Sequence, residues 1–317
     1  MSAFDRAELL QQLPAWTLAD STAHSPEVAA YLKHYGLHGL ACDYALQFGL
    51  LECAGINTAV QYYRQPDNGR GTALVVHGYM DHMGLYRHLF RALLEQGYYV
   101  VAFDLTGHGL SGGEVLHIHD FSHYAQQLTD LINQLQSQLK TPLTLIGQST
   151  GCAVIMAQQM LHPALALPIA SRILLAPLVR PALWRSIQRR YPILKRLMKQ
   201  VPRKFTACSH DLAFLQFLQN DDPLQYRNIP MSWVGAMLNF GDALEQQAPM
   251  AGAVRVIQGD EDKTVDWEYN LPVLKRVFVG LEVCMVPGGR HHLVNESEEY
   301  RGRVFELLLG FLSNPFI

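Results

Sequence analysis

The sequence predicts an α/β fold: a mostly parallel, doubly wound central sheet flanked by helices and interrupted by one large helical insertion. Three observations predict it. Short apolar runs of strand length alternate with helix-length segments along most of the chain. One of those runs, Ala73 to Val76, is apolar at every position, which implies a strand covered on both faces and hence a parallel central one. From residue 177 to 253 the alternation stops, for a stretch roughly twice as long as a single crossover helix needs.

Residues 1–40 read as an N-terminal helical extension. Arg6 to Leu13 is amphipathic, and Ser25-Pro26-Glu27 starts a second short helix. From Tyr44 to Tyr63 the period changes to two: Leu46, Phe48 and Leu50, then Thr58, Val60 and Tyr62, alternate about the turn residues Ala54-Gly55 as a hairpin. Pro66-Asp67-Asn68-Gly69 makes the next turn. The strand Ala73 to Val76 follows, then a helix over Leu85 to Leu94, a strand over Tyr98 to Phe103, a helix over Tyr124 to Leu139 and a strand over Leu143 to Ile146. Cys152 to Leu161 has helical length, Ile173 to Leu175, Val254 to Ile257 and Val283 to Val286 are strands, and Tyr300 to Leu312 is the closing helix. The core is therefore expected over 41–176 and 251–317, with 177–250 as an inserted helical lid. Pro177, Pro181, Pro192, Pro202, Pro223 and Pro230 punctuate that lid into short helices, and its place in the chain puts it above the C-terminal edge of the sheet. Open α/β sheets bind ligands at that edge.

A chain of 317 residues with 49% hydrophobic and 17% charged residues, and a mean hydropathy of +0.02, is long and apolar enough for one sizeable core. Disorder is excluded on the same composition. Asp5, Arg6 and Glu8 interrupt the first nineteen residues, so no secretory leader is expected, and no apolar run approaches a membrane span. Cys42, Cys53, Cys152, Cys208 and Cys284 are odd in number and scattered, with no C-x-x-C pair. They read as reduced cysteines of a cytoplasmic protein, not as a disulfide or zinc framework.

The chemistry starts at Gly147-Gln148-Ser149-Thr150-Gly151, set between an apolar strand and a helix. On such a sharp turn a strained backbone lifts the serine hydroxyl above the sheet edge, and the flanking glycines allow the close strand-to-helix approach of a nucleophile elbow. A serine hydroxyl needs a base to take its proton, and the base needs an acid to hold its tautomer. With this elbow they follow in the order acid, then histidine, in loops after later strands. Two loops qualify. Gln258 to Asp266 offers Asp260, Asp262 and Asp266, and Pro287 to His292 offers His291 and His292. The residues alone leave that choice open, since loop aspartates commonly cap turns.

Further motifs share one order with a known family. His77-Gly78 is followed by Asp81-His82. Asp104-Leu105-Thr106-Gly107-His108-Gly109-Leu110-Ser111-Gly112 precedes the elbow, and Asp222-Pro223-Leu224, Gly259-Asp260-Glu261-Asp262 and His291-His292-Leu293-Val294-Asn295-Glu296 come after it. Over residue 55 to the C-terminus the chain resembles the α/β-hydrolases of the monoglyceride lipase and lysophospholipase family. The resemblance implies Asp262 as the acid, His291 as the base and Ser149 as the nucleophile. It also implies an oxyanion hole from the backbone N–H groups of Tyr79 and Thr150, two preset donors for a tetrahedral oxyanion. It implies no cofactor and no metal. Two positions depart from the family: Gln148, where histidine is common, and Cys152, where a second glycine is common.

Other features take plainer readings. His117-Ile118-His119-Asp120 with His123 only approaches the H-x-H-x-D spacing of binuclear metal hydrolases and lacks a histidine directly after the aspartate, and Asp120 or Ser122 suits a helix cap. His77 and His108 read as loop braces, and Cys152 as a packed thiol.

The lid biases the substrate. Nine of the chain's 25 Lys and Arg lie between Arg180 and Lys204, with none of its 28 Asp and Glu. Leu183, Trp184, Ile187, Tyr191, Ile193, Leu194, Leu197 and Met198 lie among them, the mixture of surface-seeking helices. The expectation is a carboxylic ester hydrolase acting on monoacyl lipids, lysophospholipid or monoacylglycerol, with Gln148, Arg185, Arg189 and Arg190 contacting substrate and the lid touching an anionic membrane surface. A solvated basic face is the alternative reading of the lid. The alternatives for activity are a general carboxylesterase on small esters, an acyltransferase or amidase on the same residues, and a scaffold without catalysis. A single basic patch on an otherwise acidic chain speaks against nucleic acid.

Overall fold

The apolar runs become one eight-stranded sheet in the computed structural model, which describes residues 4–17 and 24–313. Residues 1–3, 18–23 and 314–317, and with them part of the N-terminal stretch read above, lie outside the described residues. The chain opens with helices α1 (Arg6–Gln12), α2 (Pro26–His34) and α3 (His38–Asp43), then the hairpin β1 (Ala45–Cys53) and β2 (Ile56–Arg64). Next come β3 (Thr72–Val76), α4 (Arg87–Glu95), β4 (Tyr99–Phe103), α5 (Ser122–Leu135), β5 (Leu143–Gln148), α6 (Thr150–Leu161) and β6 (Ile169–Leu175). The insertion holds α7 (Trp184–Leu197), β7 (Gln200–Pro202), α8 (Leu212–Gln216), β8 (Asn228–Pro230) and α9 (Met231–Gln246). The chain closes through β9 (Val254–Gly259), α10 (Trp267–Val277), β10 (Glu282–Val286) and α11 (Glu298–Ser313).

The sheet runs β1-β2-β4-β3-β5-β6-β9-β10. Strand β2 runs against the rest, pairing antiparallel with β1 and with β4; every pair from β4 to β10 is parallel. From β3 the chain steps to β4 on one side and then to β5 on the other. The topological switch point therefore lies between β3 and β5, and the crevice that such a switch opens sits at their C-terminal ends. Those ends carry His77-Gly78 and Ser149. Helix α6, apolar around most of its circumference, is buried accordingly.

The elements differ from expectation where local signals were weak. Helix α5 stops at Leu135, short of Leu139, and the chain continues as a turn over 136–138. Helix α10, between β9 and β10, has no counterpart in the sequence reading. The lid is not a string of short helices: α7 and α9 run for 14 and 16 residues, and β7 pairs antiparallel with β8 as a separate ribbon. Pro192 lies inside α7. Gln188, one turn earlier, is exposed, so the carbonyl that loses its N–H partner lies on the solvent side of the helix. The N-terminal helices are packed into the molecule, with Leu9, Val28, Tyr31, Leu32 and Tyr35 buried. Ala15 bridges Leu50 in parallel, lengthening the sheet edge.

Candidate active site

Ser149 sits at φ 54° and ψ −113°, a left-handed conformation that side chains avoid and that marks a strained turn. The sequence makes the strain tolerable by removing two side chains. A Cβ on Gly147 would lie 2.6 Å from the Cys152 nitrogen, and one on Gly151 would drive into the Val76 carbonyl. Alanine at 147 would push α6 away from β5, and alanine at 151 would push it away from the end of β3.

His291 approaches that serine from the loop after β10, with Nε2 2.9 Å from Ser149 Oγ and Nδ1 2.7 Å from Asp262 Oδ2. A carboxylate only accepts, so Nδ1 carries the hydrogen and Nε2 is left to accept from the hydroxyl. Asp262 is fixed in turn: Gln258 Nε2 donates to Oδ2 at 3.1 Å, and the Thr264 and Val265 amides donate to Oδ1 at 2.8 and 3.2 Å. Burial alone would raise its carboxyl, but the His291 imidazole and these amides hold it below the ordinary value. The arrangement can pass a proton from hydroxyl to imidazole while the carboxylate offsets the charge that forms.

The other aspartates of that loop have different partners. Asp260 Oδ1 accepts from Gly288 N at 2.6 Å, and Asp266 caps α10 by accepting from Tyr269 N. Among the described residues the Tyr79 and Thr150 amides find no acceptor. They flank the elbow: a Cβ on Gly78 would stand 3.5 Å from Ser149 Cβ. Gln148 Nε2 donates to the His291 carbonyl at 2.8 Å, so this departure from the family pattern tethers the histidine loop from below.

His292 is more than the loop residue its position suggests. It is buried, with Nε2 3.1 Å from Asp81 Oδ2. Tyr86 donates to the same oxygen and accepts from Gly78 N, so one hydrogen-bonded chain ties the histidine loop to the loop that carries Tyr79. Only the run Asp81-His82 hinted at it. His77 braces the same region, its Nδ1 on the Gly78 carbonyl and its Nε2 accepting from Leu105 N. Burial lowers it to about 3 and His108 to about 4, so both stay neutral. Cys152 is fully buried against the carbonyls of Gly147 and Leu175, and burial raises its thiol far out of the reactive range.

Over these residues lies a cavity of about 810 Å³ with walls from the elbow, the histidine loop and the lid. Trp233 of α9 stacks on Tyr79 at 3.6 Å. Among the predicted contacts, Arg190 and Gln148 line the cavity; Arg185 and Arg189 do not, because they point off the outer side of α7, where Arg189 donates to the Arg185 carbonyl. Arg203 and Lys204, from the end of the same charge run, do line it. Their signal was the position after Pro202, unreadable without the β7–β8 ribbon. In the 117–123 stretch, Asp120 accepts from Ser122 N at 2.7 Å, and no group of three or more His, Cys, Asp or Glu among the described residues is placed to hold a metal ion.

The fold and this cleft define an α/β-hydrolase. Residues 67–298 match the hydrolase family described as serine aminopeptidase, S33, and the chain belongs to that family. It is 23% identical over 257 residues to the monoacylglycerol lipase of Mycolicibacterium smegmatis, a match covering 77% of this chain and 89% of that one. It is 21% identical over 263 residues to the monoglyceride lipase homolog of monkeypox virus, covering 80% and 93%. In fold it is similar to a soluble variant of the monoglyceride lipase of Saccharomyces cerevisiae, solved with a substrate analog, at a TM-score of 0.72 and 19% identity over 85% of this chain and 94% of that one. The enzyme class is that of the carboxylic ester hydrolases. No helix among the described residues is long and apolar enough to cross a membrane.

Proposed function

We propose that this enzyme hydrolyses monoacyl lipid esters through an acyl-enzyme on Ser149, with His291 as base and then acid, Asp262 as its orienting carboxylate, and the Tyr79 and Thr150 amides as the oxyanion hole. The observation that carries the reading is the hydrogen-bonded chain from Ser149 through His291 to Asp262, at 2.9 and 2.7 Å, opening into a roofed, mainly apolar cavity. An attacked ester carbonyl turns its oxygen toward the two free amides. Collapse expels the alcohol with the proton that His291 took, and water repeats the sequence on the acyl-enzyme.

Ester is favoured over peptide by the cavity wall. Binding a free amino terminus calls for carboxylates, and the one acid among the lining residues, Asp81, is already engaged by His292 and Tyr86. The names of the relatives, monoacylglycerol and monoglyceride lipases, support a single acyl chain. The test is a panel of acyl-chain lengths and headgroups on purified enzyme. Turnover rising with chain length supports the reading; a preference for short soluble esters leaves a general carboxylesterase.

The lid is the proposed membrane contact. Leu183, Ile193, Leu197 and Met198 are exposed along and beside α7, among Arg185, Arg189, Lys195, Arg196 and Lys199. Each cation near an anionic surface contributes about 1 kcal/mol, and the apolar side chains add the burial term. Sedimentation with vesicles should recover more enzyme on anionic than on zwitterionic lipid, and less at high salt. Equal recovery on both, unaffected by salt, would return the lid to a solvated basic face.

A further inference from the structure

Arg203 is the unexplained charge of the cavity. It follows β7, its amide donates to the Arg227 carbonyl at 2.8 Å, and its side chain lines the same cavity as Ser149. Among the described residues no carboxylate lies within ion-pair distance of it. Its hydrogen-bond partner is a neutral amide oxygen, Gln225 Oε1, and its guanidinium lies over the Phe205 ring at 4.4 Å. Burial opposes its charge and lowers its pKa, and the Asp81 and Asp222 carboxylates, beyond ion-pair distance, offset that only in part. The fold nevertheless holds it in place. Gln225 Nε2 donates to Asp222 Oδ2 at 2.9 Å, which fixes the amide so that its oxygen faces Arg203, and Asp222 is itself held by His82 Nε2 at 3.1 Å and by the Tyr35 hydroxyl at 2.7 Å. A chain of hydrogen bonds therefore runs from the core to an arginine that still has donors to give. Arg190 and Lys204 line the same cavity and are more exposed.

We propose that Arg203, oriented by Gln225 and assisted by Lys204 and Arg190, is an anion-binding subsite of the catalytic cavity, so that the preferred ester carries a phosphate or carboxylate besides its acyl chain. The proposal rests on the ester-hydrolase reading above and adds the charge of the substrate to it. A planar guanidinium pairs with either anion through two parallel N–H donors, which a neutral glycerol cannot exploit. The anion can belong to the alcohol, as a phosphorylated glycerol, or to the far end of the acyl chain, as a carboxylate. The shared chemistry is the same.

The test compares matched substrates in one neutral detergent: monooleoylglycerol against its phosphate, and the p-nitrophenyl ester of octanoic acid against the p-nitrophenyl monoester of the dicarboxylic acid of equal length. The readout is the ratio of kcat/KM, anionic over neutral, within each pair. The wild type is expected to favour the anionic member of one pair by about tenfold or more, and the pair that responds identifies where the anion sits. Arg203→Gln should collapse that ratio by about ten- to a hundredfold, chiefly through KM, while Arg203→Lys keeps part of it. Gln225→Leu retains the charge but loses the tether, and should fall in between; with Arg203→Lys it carries the test if Arg203→Gln does not fold. Ratios near one in both pairs, or ratios that these variants leave unchanged, would overturn the subsite. Neutral-ester turnover that persists in Ser149→Ala would overturn the parent reading as well, so the two failures are distinguishable.

Discussion

Asp260 and Asp262 stand two residues apart and have unlike work. Asp262 holds the imidazole, whereas Asp260 ties Gly288 in the neighbouring loop. Asp262→Asn should lower kcat by about ten-thousandfold or somewhat less by presenting the wrong tautomer, whereas Asp260→Asn should be mild in a steady-state assay of the purified variants. Asp266→Asn keeps a capping side chain on α10 and should be equally mild. His292 calls for a different expectation from the one its place in the sequence gives. His292→Ala leaves the buried Asp81 carboxylate with the Tyr86 hydroxyl as its remaining side-chain donor, so it should cost about 2 kcal/mol of stability and reduce activity by loosening the Tyr79 loop, as denaturant melts and kinetics at one temperature would show. At this scale the sequence was informative where a motif constrains the backbone: the glycines around Ser149 fix the elbow. Asp262 and His291 could be singled out only by resemblance, since each has an equally suitable neighbour. Arg203 was indistinguishable from eight other cations, because what separates it is enclosure, a property of the folded lid.

At the scale of elements, the lid is latched to the core through Asp222 and His82. Burial would raise the Asp222 carboxyl, yet His82, Tyr35 and Gln225 hold it at about 2, against an ordinary 3.8. Burial opposes the His82 imidazolium, but Asp222, Asp104 and Asp81 around it raise it above the ordinary 6.5. The aspartate's contribution is full above its unfolded value and is lost as pH falls through about 2; the histidine's is full below 6.5 and is lost as pH rises through its raised value. The latch should therefore stabilise most between 3.8 and 6.5. Asp222→Asn should lower the Tm most within that window, by about 5 °C or more, with the gap to wild type closing on either side. A gap independent of pH would show that the pair is not ionised. The inner strands of the sheet were legible because burial on both faces leaves continuous apolar runs, and the hairpin because its residues alternate. Helix α10 and the β7–β8 ribbon were not, because each element is short or proline-bearing and is held by tertiary partners: Tyr269 of α10 by Glu245 of α9, and the ribbon by Arg203 and Arg227.

For the whole molecule, the fold places one serine at a topological switch point, strains its backbone, sets its hydroxyl 2.9 Å from a fixed imidazole and covers the cleft with a cationic, apolar insertion. The central claim is that Ser149 becomes the acyl-enzyme. Peptide mass mapping after brief exposure to a slowly deacylating p-nitrophenyl ester measures it directly. A single acyl adduct is expected on Ser149, absent in Ser149→Ala and formed orders of magnitude more slowly in His291→Ala. Ester turnover with no adduct, or an adduct on another side chain such as Cys152, would contradict it.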